Sequence, residues 1–566
     1  MIGRRMLAAA VSALAALALT ACAGLPTSGA VNAGDAVADA DTTSDFAFIP
    51  NGPVEDATPQ QIVEGFIAAG SGPSNNWQTA QTFLTPEFTG QWKPQDGVTV
   101  YSPGLRTIAE VAEDEFVLTV TPVATVDAAG ELTTAGDTGD IRLTFKLEQQ
   151  ADGQWRISQA PDGIVLDRTR FAAVFAASSI MYFDPTWTYL VPDQRWFPRA
   201  YAATRIAQAL VDGEPSPWLA GSVATAFTDD ARLAQAAVPV RSNVAEVTLQ
   251  DGAGALDQLV LDRMQTQLEA SLVGTGGIAG VDMLTVGDQR LAAEAVTVRS
   301  TRVDSRPLVL TADAFGFVAG STIEEIPGLS DAVTGLAANG VVAIETDAER
   351  TLAAVRDADG AVLVARADGS TSQLDPRSGL VAPSVDPFGF VWTAPVDDPA
   401  GVVAYAADSG AAVQVAGGWP GATQIVAQRV SRDGTQVAAV VRDGEDYSLW
   451  VAGIQRDRDH APVTLGTPKV LAVLPGPAGA LTWLDAATLG VLTTDDGEDN
   501  LYTHEVGGFG SMLRTPPAAT AVAGGSQSGG VRLRDADGEL YTKSGANWQH
   551  LGSGVLVLAI QQGMPH

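Results

Sequence analysis

The hexapeptide DAFGFV at residues 313–318 returns almost unchanged as DPFGFV at residues 386–391. Related turn-and-strand markers occur near residues 347, 433, 485 and 527, which gives a mean spacing of about 43 residues. A repeat of about 40 to 50 residues with several short strands in each copy is typical of a β-propeller. We therefore predict that residues 306–566 form an all-β propeller of about six blades, with five or seven blades also compatible with the spacing.

The segment before the repeats shows helical spacing first and strand alternation afterwards. Thr58 and Pro59 precede apolar residues spaced three or four apart over 62–67, which predicts a helix with proline at its first position. A second helix is predicted around Trp77–Leu84. Strict alternation over 141–148, followed by a turn at 151–153, predicts antiparallel strands. Residues 46–175 are therefore predicted to form an α+β domain.

A second α+β domain is predicted for residues 176–305. Strands are expected at 180–183, 189–192, 244–249 and 281–286, and helices at 204–211, from Pro215 onward and around 261–272. The glycine-rich loop Gly274–Gly280 follows a helix and precedes a strand. A phosphate-binding loop has the opposite order, so we interpret this loop as a connection and not as a dinucleotide site. The predicted fold class is multidomain, with two α+β domains followed by an all-β propeller.

The single cysteine stands directly after a secretory signal. Arg4 and Arg5 precede an apolar run from Met6 to Leu19, and the sequence Leu-Thr-Ala-Cys ends at Cys22. The run of about 14 residues would span about 21 Å as a helix, less than the roughly 30 Å of a bilayer core. The tetrapeptide resembles the lipobox of bacterial lipoproteins, in which the cysteine thiolate is the group that is alkylated.

This resemblance implies that residues 1–21 are a lipoprotein signal peptide and that Cys22 becomes an S-diacylglycerol cysteine. N-acylation of the same residue, for example with palmitate, is compatible with it. Two acyl chains give stable anchoring. Residues 22–45 are small and polar and are predicted to form a flexible tether. We therefore expect a protein anchored on the outer, extracytoplasmic face of the cell membrane.

Composition excludes several classes of function. The chain has 66 acidic and 33 basic residues, a net charge of −33 and a pI near 4.3, so we predict that it has no nucleic-acid partner. Its 4 histidines all lie near the C-terminus, at positions 460, 504, 550 and 566. The sequence contains no nucleophile-elbow, zinc-protease or phosphate-loop motif. We predict no catalytic residue, no cofactor and no metal site, and a protein that is not an enzyme.

Three groups of residues have alternative interpretations. The Asp-x-Asp-Gly sequences at 357–360 and 535–538 could offer oxygens to Ca²⁺, but they lack the further ligands of a calcium loop and are interpreted as hairpin turns. The acidic run 495–499 is interpreted as a solvated surface. Trp392, Trp450 and Trp483 lie in predicted strands and are interpreted as blade core and not as a stacking platform.

The order of lipobox, tether, two α+β domains and propeller resembles the actinobacterial lipoprotein LpqB family. The second domain is similar to the GerMN domain. One departure is that Thr228-Asp229-Asp230-Ala231 stands where such families often have Pro-Gly-Thr. The local motifs that fit the family are Pro59, 62–66, 83–85, Trp92 and 155–157 in the first domain, 190–192, 195–198, 215–219 and 225–227 in the second, and 382–392 and 430–434 in the propeller.

The resemblance implies a non-catalytic accessory of the MtrAB two-component system. Such a protein would bind the extracellular sensor domain of the histidine kinase MtrB and modulate its signalling in cell-wall and division control. No catalytic residue transfers from the family, and Cys22 is the residue that transfers with a defined role. Two alternatives stay open: a propeller enzyme that acts on or binds cell-wall glycans, and a solute-binding lipoprotein.

Overall fold

The computed structural model describes residues 50–136, 138–525 and 530–565, and all of them belong to one compact unit. The predicted signal peptide, the predicted tether, Cys22 and the repeat marker at 527 lie outside these ranges. Over the described residues the chain forms a mixed α/β region followed by a large β-propeller, which confirms the predicted fold class.

The first part of the α/β region is a mixed sheet, and three helices precede this sheet in the chain. The sheet order is β5-β4-β2-β1-β6, with β3 beside β2, and β1 runs parallel to β6 while the other pairs are antiparallel. The elements are α1 Pro59–Ala69, α2 Ser74–Gln81, α3 Pro86–Thr89, β1 Gly97–Ala112, β2 Glu115–Asp127, β3 Leu132–Thr134, β4 Ile141–Gln149, β5 Trp155–Gln159 and β6 Ile164–Asp167.

The predicted proline-initiated helix is confirmed as α1. The Thr58 side chain accepts a hydrogen bond from the Gln61 amide, and the Gln61 side chain accepts one from the Thr58 amide, which forms a capping box. The predicted second helix ends early, at Gln81. Phe83 and Thr85 leave the helix because their backbone groups bond to Ile157 of β5, at 2.8 Å each.

The second part contains a hairpin, two long helices and a small sheet. Helices α5 and α6 pack on β7 and on each other, and β10 pairs parallel with β11. The elements are α4 Arg168–Val174, β7 Phe175–Phe183, β8 Leu190–Pro198, α5 Ala202–Val211, β9 Val240–Arg241, β10 Val244–Leu249, α6 Gln258–Leu272 and β11 Gly280–Thr285, with short 3₁₀ turns at Arg199–Tyr201, Asp229–Ala231, Asp251–Ala255 and Thr275–Gly277.

One predicted helix of this part is wrong. Residues 215–219 form a single turn, in which the amides of Leu219 and Ala220 donate to the Ser216 carbonyl. The turn ends at Gly221, whose φ of 79° is left-handed and cannot continue the helix. Ser216, at the start of the turn, donates to the Asp193 carboxylate through its amide (2.8 Å) and its hydroxyl (2.7 Å). Trp218 then packs into a core formed by the propeller. The loop Gly274–Gly280 joins α6 to β11, which confirms its interpretation as a connection.

The propeller has six four-stranded blades over the described residues, so the predicted number is confirmed. Blade four has a fifth strand, β27 Lys469–Val473, which pairs with β25 Asp446–Arg456. The strands of blades one to three are β12 Leu308–Leu310, β13 Phe315–Ala319, β14 Thr322–Glu325; β15 Ala343–Thr346, β16 Leu352–Arg356, β17 Val362–Arg366, β18 Thr371–Asp375; β19 Ser384–Val385, β20 Phe390–Thr393, β21 Val403–Ala406 and β22 Ala412–Gln414.

Blades four to six are followed by one final strand. These elements are β23 Gln424–Val430, β24 Gln436–Asp443, β25 Asp446–Arg456, β26 Pro462–Leu465, β27 Lys469–Val473; β28 Ala478–Trp483, β29 Thr488–Asp495, β30 Glu498–Glu505, β31 Gly510–Arg514; β32 Ala519–Ala523, β33 Arg532–Asp535, β34 Leu540–Ser544, β35 Asn547–Gly552; and β36 Val557–Gln561.

The final strand closes the ring. β36 is the innermost strand of blade one, where it pairs antiparallel with β12, and it also pairs parallel with β15 of blade two. The innermost strands β15, β19, β23, β28, β32 and β36 each contact the next one around a complete circle. The C-terminal end of the chain therefore supplies the strand that joins the first blade to the rest of the ring.

The repeated hexapeptide has a structural explanation in blade three. The Asp386 carboxylate accepts hydrogen bonds from the amides of Phe388 and Phe390 and from the Trp392 indole, at 2.9 Å each. This fixes the turn between β19 and β20. In the first copy the turn between β12 and β13 leads into Phe315 and Phe317, which are both buried. The propeller also contains one feature that the strand pattern did not predict, the helix α7 Leu329–Gly335, followed by a 3₁₀ turn at Ala337–Asn339, with Leu329 and Val333 buried in blade one.

Candidate functional site

The three histidines within the described residues lie apart from one another. His460 lies in the turn after β25, His504 lies within β30 and His550 lies within β35, so each is on a different blade, and His566 lies outside the described residues. Burial and, to a lesser extent, nearby Lys469 together lower the pKa of His504 to about 4. Within the described part of the chain no cluster of His, Asp and Glu has a metal-binding arrangement. No helix there is long and apolar enough to span a membrane.

The acidic motifs act as turns. The Asp357 carboxylate accepts from the Ala361 amide at 2.8 Å, and the Asp535 carboxylate accepts from the amides of Asp537 and Glu539 at 3.0 and 2.9 Å. Both carboxylates lie in hairpins, which confirms the interpretation of these motifs as turns. The run 495–499 forms the hairpin between β29 and β30, and its tip is exposed.

The three tryptophans of the blades pack as core. Trp392 and Trp483 are buried, and Trp450 is half-buried against the same apolar cluster as Trp392. None of the three therefore offers an open aromatic platform, which confirms their interpretation as blade core.

The strongest polar cluster of the propeller lies among its innermost strands. Glu345 of β15 is 1% exposed, and one of its carboxylate oxygens accepts from the Ser384 hydroxyl (2.8 Å), the Val385 amide (2.9 Å) and the Gln562 side chain. Its other oxygen lies 3.6 Å from Nε of Arg429 in β23. The contacts of Glu345 thus connect the innermost strands β15, β19 and β23 with Gln562, the residue that follows β36. We call Glu345, Ser384, Arg429 and Gln562 the axial network.

Arginines in this region bind protein carbonyls. Arg429 donates to the carbonyls of Ala382 and Pro383 at 3.0 Å, and burial lowers its pKa although Glu345 opposes the shift. Arg432 donates to the Trp483 carbonyl at 2.9 Å and to two further carbonyls, those of Gly525 (3.1 Å) and Thr301 (3.3 Å). Burial lowers the pKa of Arg432 to about 10. These charges are therefore used to hold the blades together.

The α/β region is bound to blades four and five by polar contacts. Lys469 of β27 forms an ion pair with Glu131, and the Thr134 hydroxyl donates to the Leu471 carbonyl at 2.8 Å. The Trp196 indole donates to the Gly507 carbonyl at 2.9 Å, and its ring packs against Phe171 and Phe509. These contacts join both parts of the α/β region to the propeller.

A buried ion pair lies at the centre of this junction. Asp193 and Arg195 of β8 are 1% and 4% exposed, and their side chains meet at 2.8 Å. Asp193 also holds Ser216, and Arg195 donates to the carbonyls of Ala129 (3.0 Å) and Glu214 (3.1 Å). Since both carboxylate oxygens of Asp193 and both terminal nitrogens of Arg195 have a partner from another segment, the pair orients the first sheet, β8 and the turn that packs on the propeller.

A cavity of about 450 Å³ lies between the two parts of the α/β region. Its size falls within the range of about 300 to 1,000 Å³ that is usual for small-molecule sites. The walls are formed largely by aromatic and aliphatic side chains, and a smaller number of polar groups lie among them. The aromatic residues are Trp77, Phe175, Trp196, Phe197 and Tyr201, and the polar ones include Asn75, Asn76, Gln95, Thr204, Arg205 and Gln208.

The backbone is strained on one wall of the cavity. Asn75, Asn76 and Trp77 have φ values of 49°, 57° and 56°, a left-handed conformation that is uncommon for non-glycine residues and rare for a bulky one. The Trp77 indole donates a hydrogen bond to the Gly70 carbonyl at 2.8 Å, and this bond fixes the ring in the cavity wall. The side-chain amide of Gln95 donates to the side-chain oxygen of Asn76 at 2.6 Å. Strain of this kind is typical of ligand sites and costs about 1 to 3 kcal/mol per residue.

Sequence reasoning missed the axial network, the Asp193–Arg195 pair and the cavity. A signal for the first two exists in the sequence, because Glu345 interrupts the apolar run 341–344 and Arg195 stands among large apolar residues at 196–197. A charged residue that is fully buried with such a run is almost always paired. The partner cannot be identified from the sequence, since Arg429 lies in a different blade.

The axial pair generates a stability prediction. Arg429→Met leaves the buried Glu345 carboxylate without its cation, and we expect the free energy of unfolding to fall by about 3 to 5 kcal/mol. The double variant Glu345→Gln/Arg429→Met removes both charges and should be more stable than the single variant. Urea unfolding of residues 46–566 measures both.

The exposed pair Arg514–Glu498 provides the matched control, and Arg514→Met should change the free energy of unfolding by no more than about 1 kcal/mol. A double variant that is as unstable as Arg429→Met would contradict the role of this pair.

Comparison with known proteins gives one consistent result. Three family models match successive parts of the chain: the lipoprotein LpqB N-terminal domain at residues 52–172, a sporulation and spore germination domain at 179–291, and the lipoprotein LpqB beta-propeller domain at 313–556.

Curated relatives agree with these matches over most of the chain. The lipoprotein LpqB of Bifidobacterium longum is 28% identical over 80% of this chain and 80% of its own. That of Streptomyces avermitilis is 26% identical over 94% of each, and that of Thermobifida fusca is 32% identical over 47% of this chain and 45% of its own. With its α/β region and six-bladed propeller matched in the same order, this chain belongs to the actinobacterial LpqB lipoprotein family.

Proposed function

We propose that the protein is a lipid-anchored, non-catalytic accessory of the MtrAB two-component system. It is held on the outer face of the cell membrane through Cys22, and it binds the extracellular sensor domain of the histidine kinase MtrB and modulates its signalling. The observation that supports this proposal most strongly is family membership over residues 52–556, preceded by the lipobox sequence that ends at Cys22.

The anchor gives this role a physical basis. A protein that is confined to the membrane surface meets a membrane-embedded kinase at a raised local concentration, so that a weak contact can be occupied most of the time. Residues 22–45 would let the folded part reach above the bilayer, since small and polar residues form flexible linkers. The folded part can then search for the kinase without leaving the membrane.

The buried charged side chains at the centre of the propeller contact other groups of the protein. Glu345 is enclosed by protein donors, and Arg429 and Arg432 bind protein carbonyls. A glycan-cleaving propeller would need two carboxylates that reach the substrate. Glu345, the buried axial carboxylate, does not meet that need because protein groups enclose it. The net charge of −33 favours a partner with a basic or polar surface.

The anchor is tested by Cys22→Ser in the full-length precursor. A hydroxyl replaces the thiol that would be alkylated, so we expect the protein to leave the membrane fraction and to lose incorporation of labelled fatty acid. The matched control is Thr20→Ser, which changes a neighbouring residue and keeps the cysteine. Membrane retention and fatty-acid labelling of Cys22→Ser at the control level would contradict the anchor.

The partner is tested with two purified, folded proteins. We expect residues 46–566 to form a complex with the MtrB extracellular sensor domain at about 0.15 M salt, and we expect the association rate to fall as salt is raised. Isothermal titration calorimetry and stopped-flow fluorescence measure the two quantities. The control is the sensor domain of an unrelated kinase. Absence of a complex, with both proteins folded, would overturn the proposal.

A further inference from the structure

We propose that the cavity of the α/β region binds a small amphiphile that has one apolar chain and one anionic head group, a carboxylate or a phosphate, with Arg205 as the residue that pairs with the anion. This site is separate from the axial network of the propeller. It does not depend on the identity of the partner kinase.

The aromatic side chains that line the cavity indicate that part of the ligand is apolar. Trp77, Phe175, Phe197 and Tyr201 line a cavity of about 450 Å³. Trp77 and Phe197 already have fixed positions, because the Trp77 indole bonds to Gly70 and the Phe197 ring packs beneath Arg205. An apolar chain that enters such a preformed space is transferred out of water without any cost of ordering the walls.

The anionic part follows from Arg205 of α5. Its guanidinium lies 5.6 Å from the centre of the Phe197 ring and donates to the Ala128 carbonyl at 2.8 Å. Among the described residues no carboxylate forms an ion pair with it, and partial burial lowers its pKa while no carboxylate raises it. An arginine remains protonated at neutral pH. A cation that is partly removed from water and has no counter-ion favours the binding of an anion.

The other charged group at the cavity does not replace that anion. Asp127 also lines the cavity, but it is exposed, and its carboxylate accepts a hydrogen bond from the Glu131 amide at 2.8 Å. The neutral side chains Asn75, Thr204 and Gln208 can supply further hydrogen bonds to a head group. The cavity therefore combines an apolar wall with one cation that lacks a counter-ion, which is the chemical complement of an anionic amphiphile.

Binding would bridge the two parts of the α/β region. Trp77, Val98 and Val126 belong to the first part, whereas Phe197 and Arg205 belong to the second. A ligand that contacts both walls binds the folded protein but not the unfolded chain, in which the two walls are no longer close together. Its occupancy therefore raises the temperature of unfolding in proportion to the logarithm of ligand concentration above the dissociation constant.

The test uses a head-group series on residues 46–566, with sodium decanoate, decyl phosphate, decanol and decyltrimethylammonium, all below their micelle concentrations. We expect decanoate or decyl phosphate to raise the unfolding temperature and to bind at least about tenfold more tightly than decanol, as measured by titration calorimetry. The cationic amphiphile should be the weakest ligand. A preference for one of the two anions would distinguish a carboxylate ligand from a phosphate ligand.

Two substitutions locate the site. Arg205→Met keeps the apolar stem and removes the charge, so we expect about a tenfold loss of affinity for the anionic amphiphile and no change for decanol. Arg263→Met is the matched control, because Arg263 also lies over an aromatic ring, that of Trp187 at 4.1 Å, but does not line the cavity.

The proposal is overturned if neither anionic amphiphile binds the unmodified protein, or if decanol binds as tightly as decanoate and decyl phosphate. It is also overturned if Arg205→Met binds the anions as tightly as Arg263→Met does. The comparison of head groups on the unmodified protein needs no variant, so it decides the question even where Arg205→Met does not fold.

Discussion

The pairing of β36 with β12 and β15 is the constraint on which the rest of the structure depends. It brings the end of the chain beside a strand that begins about 250 residues earlier, and it leaves neither blade one nor blade two with an open inner edge. The residue that follows β36, Gln562, then bonds to Glu345 in the axial network. Ring closure and one hydrogen bond to the buried Glu345 carboxylate are therefore supplied by the same few residues.

The closed propeller in turn supports the α/β region. Blades four and five present Lys469, Leu471 and Gly507 to groups of the first sheet and of β8, and the buried pair Asp193–Arg195 fixes β8 between them. The cavity lies where the first sheet meets β8 and α5, so its shape depends on that docking. The proposed roles, a binding frame for a membrane kinase and a site for an amphiphile, both require the α/β region and the propeller to keep one arrangement.

Features determined by short stretches of sequence could be predicted, and features determined by distant partners could not. The turn at Asp386 follows from local sequence because one carboxylate holds the amides of Phe388 and Phe390, and α1 follows from Thr58 and its capping box. The helix predicted from Pro215 ends after one turn at Gly221, and the contact between Ser216 and the distant Asp193 carboxylate could not be predicted. The sequence shows Glu345 as a charge beside an apolar run, but its partner Arg429 is brought close only when the ring of blades closes. The cavity is lined by residues from distant segments, so no short stretch of sequence predicts it.

Removal of β36 tests the dependence on ring closure most directly. A chain that ends after residue 556 lacks β36 and Gln562, whereas the control chain that ends after Gly563 keeps both. Scanning calorimetry of the two proteins, each beginning at residue 46, should give one cooperative transition for the control and none at a comparable temperature for the shorter chain. A cooperative transition of the shorter chain within about 2 to 4 °C of the control, a shift that corresponds to only about 1 kcal/mol, would contradict the account.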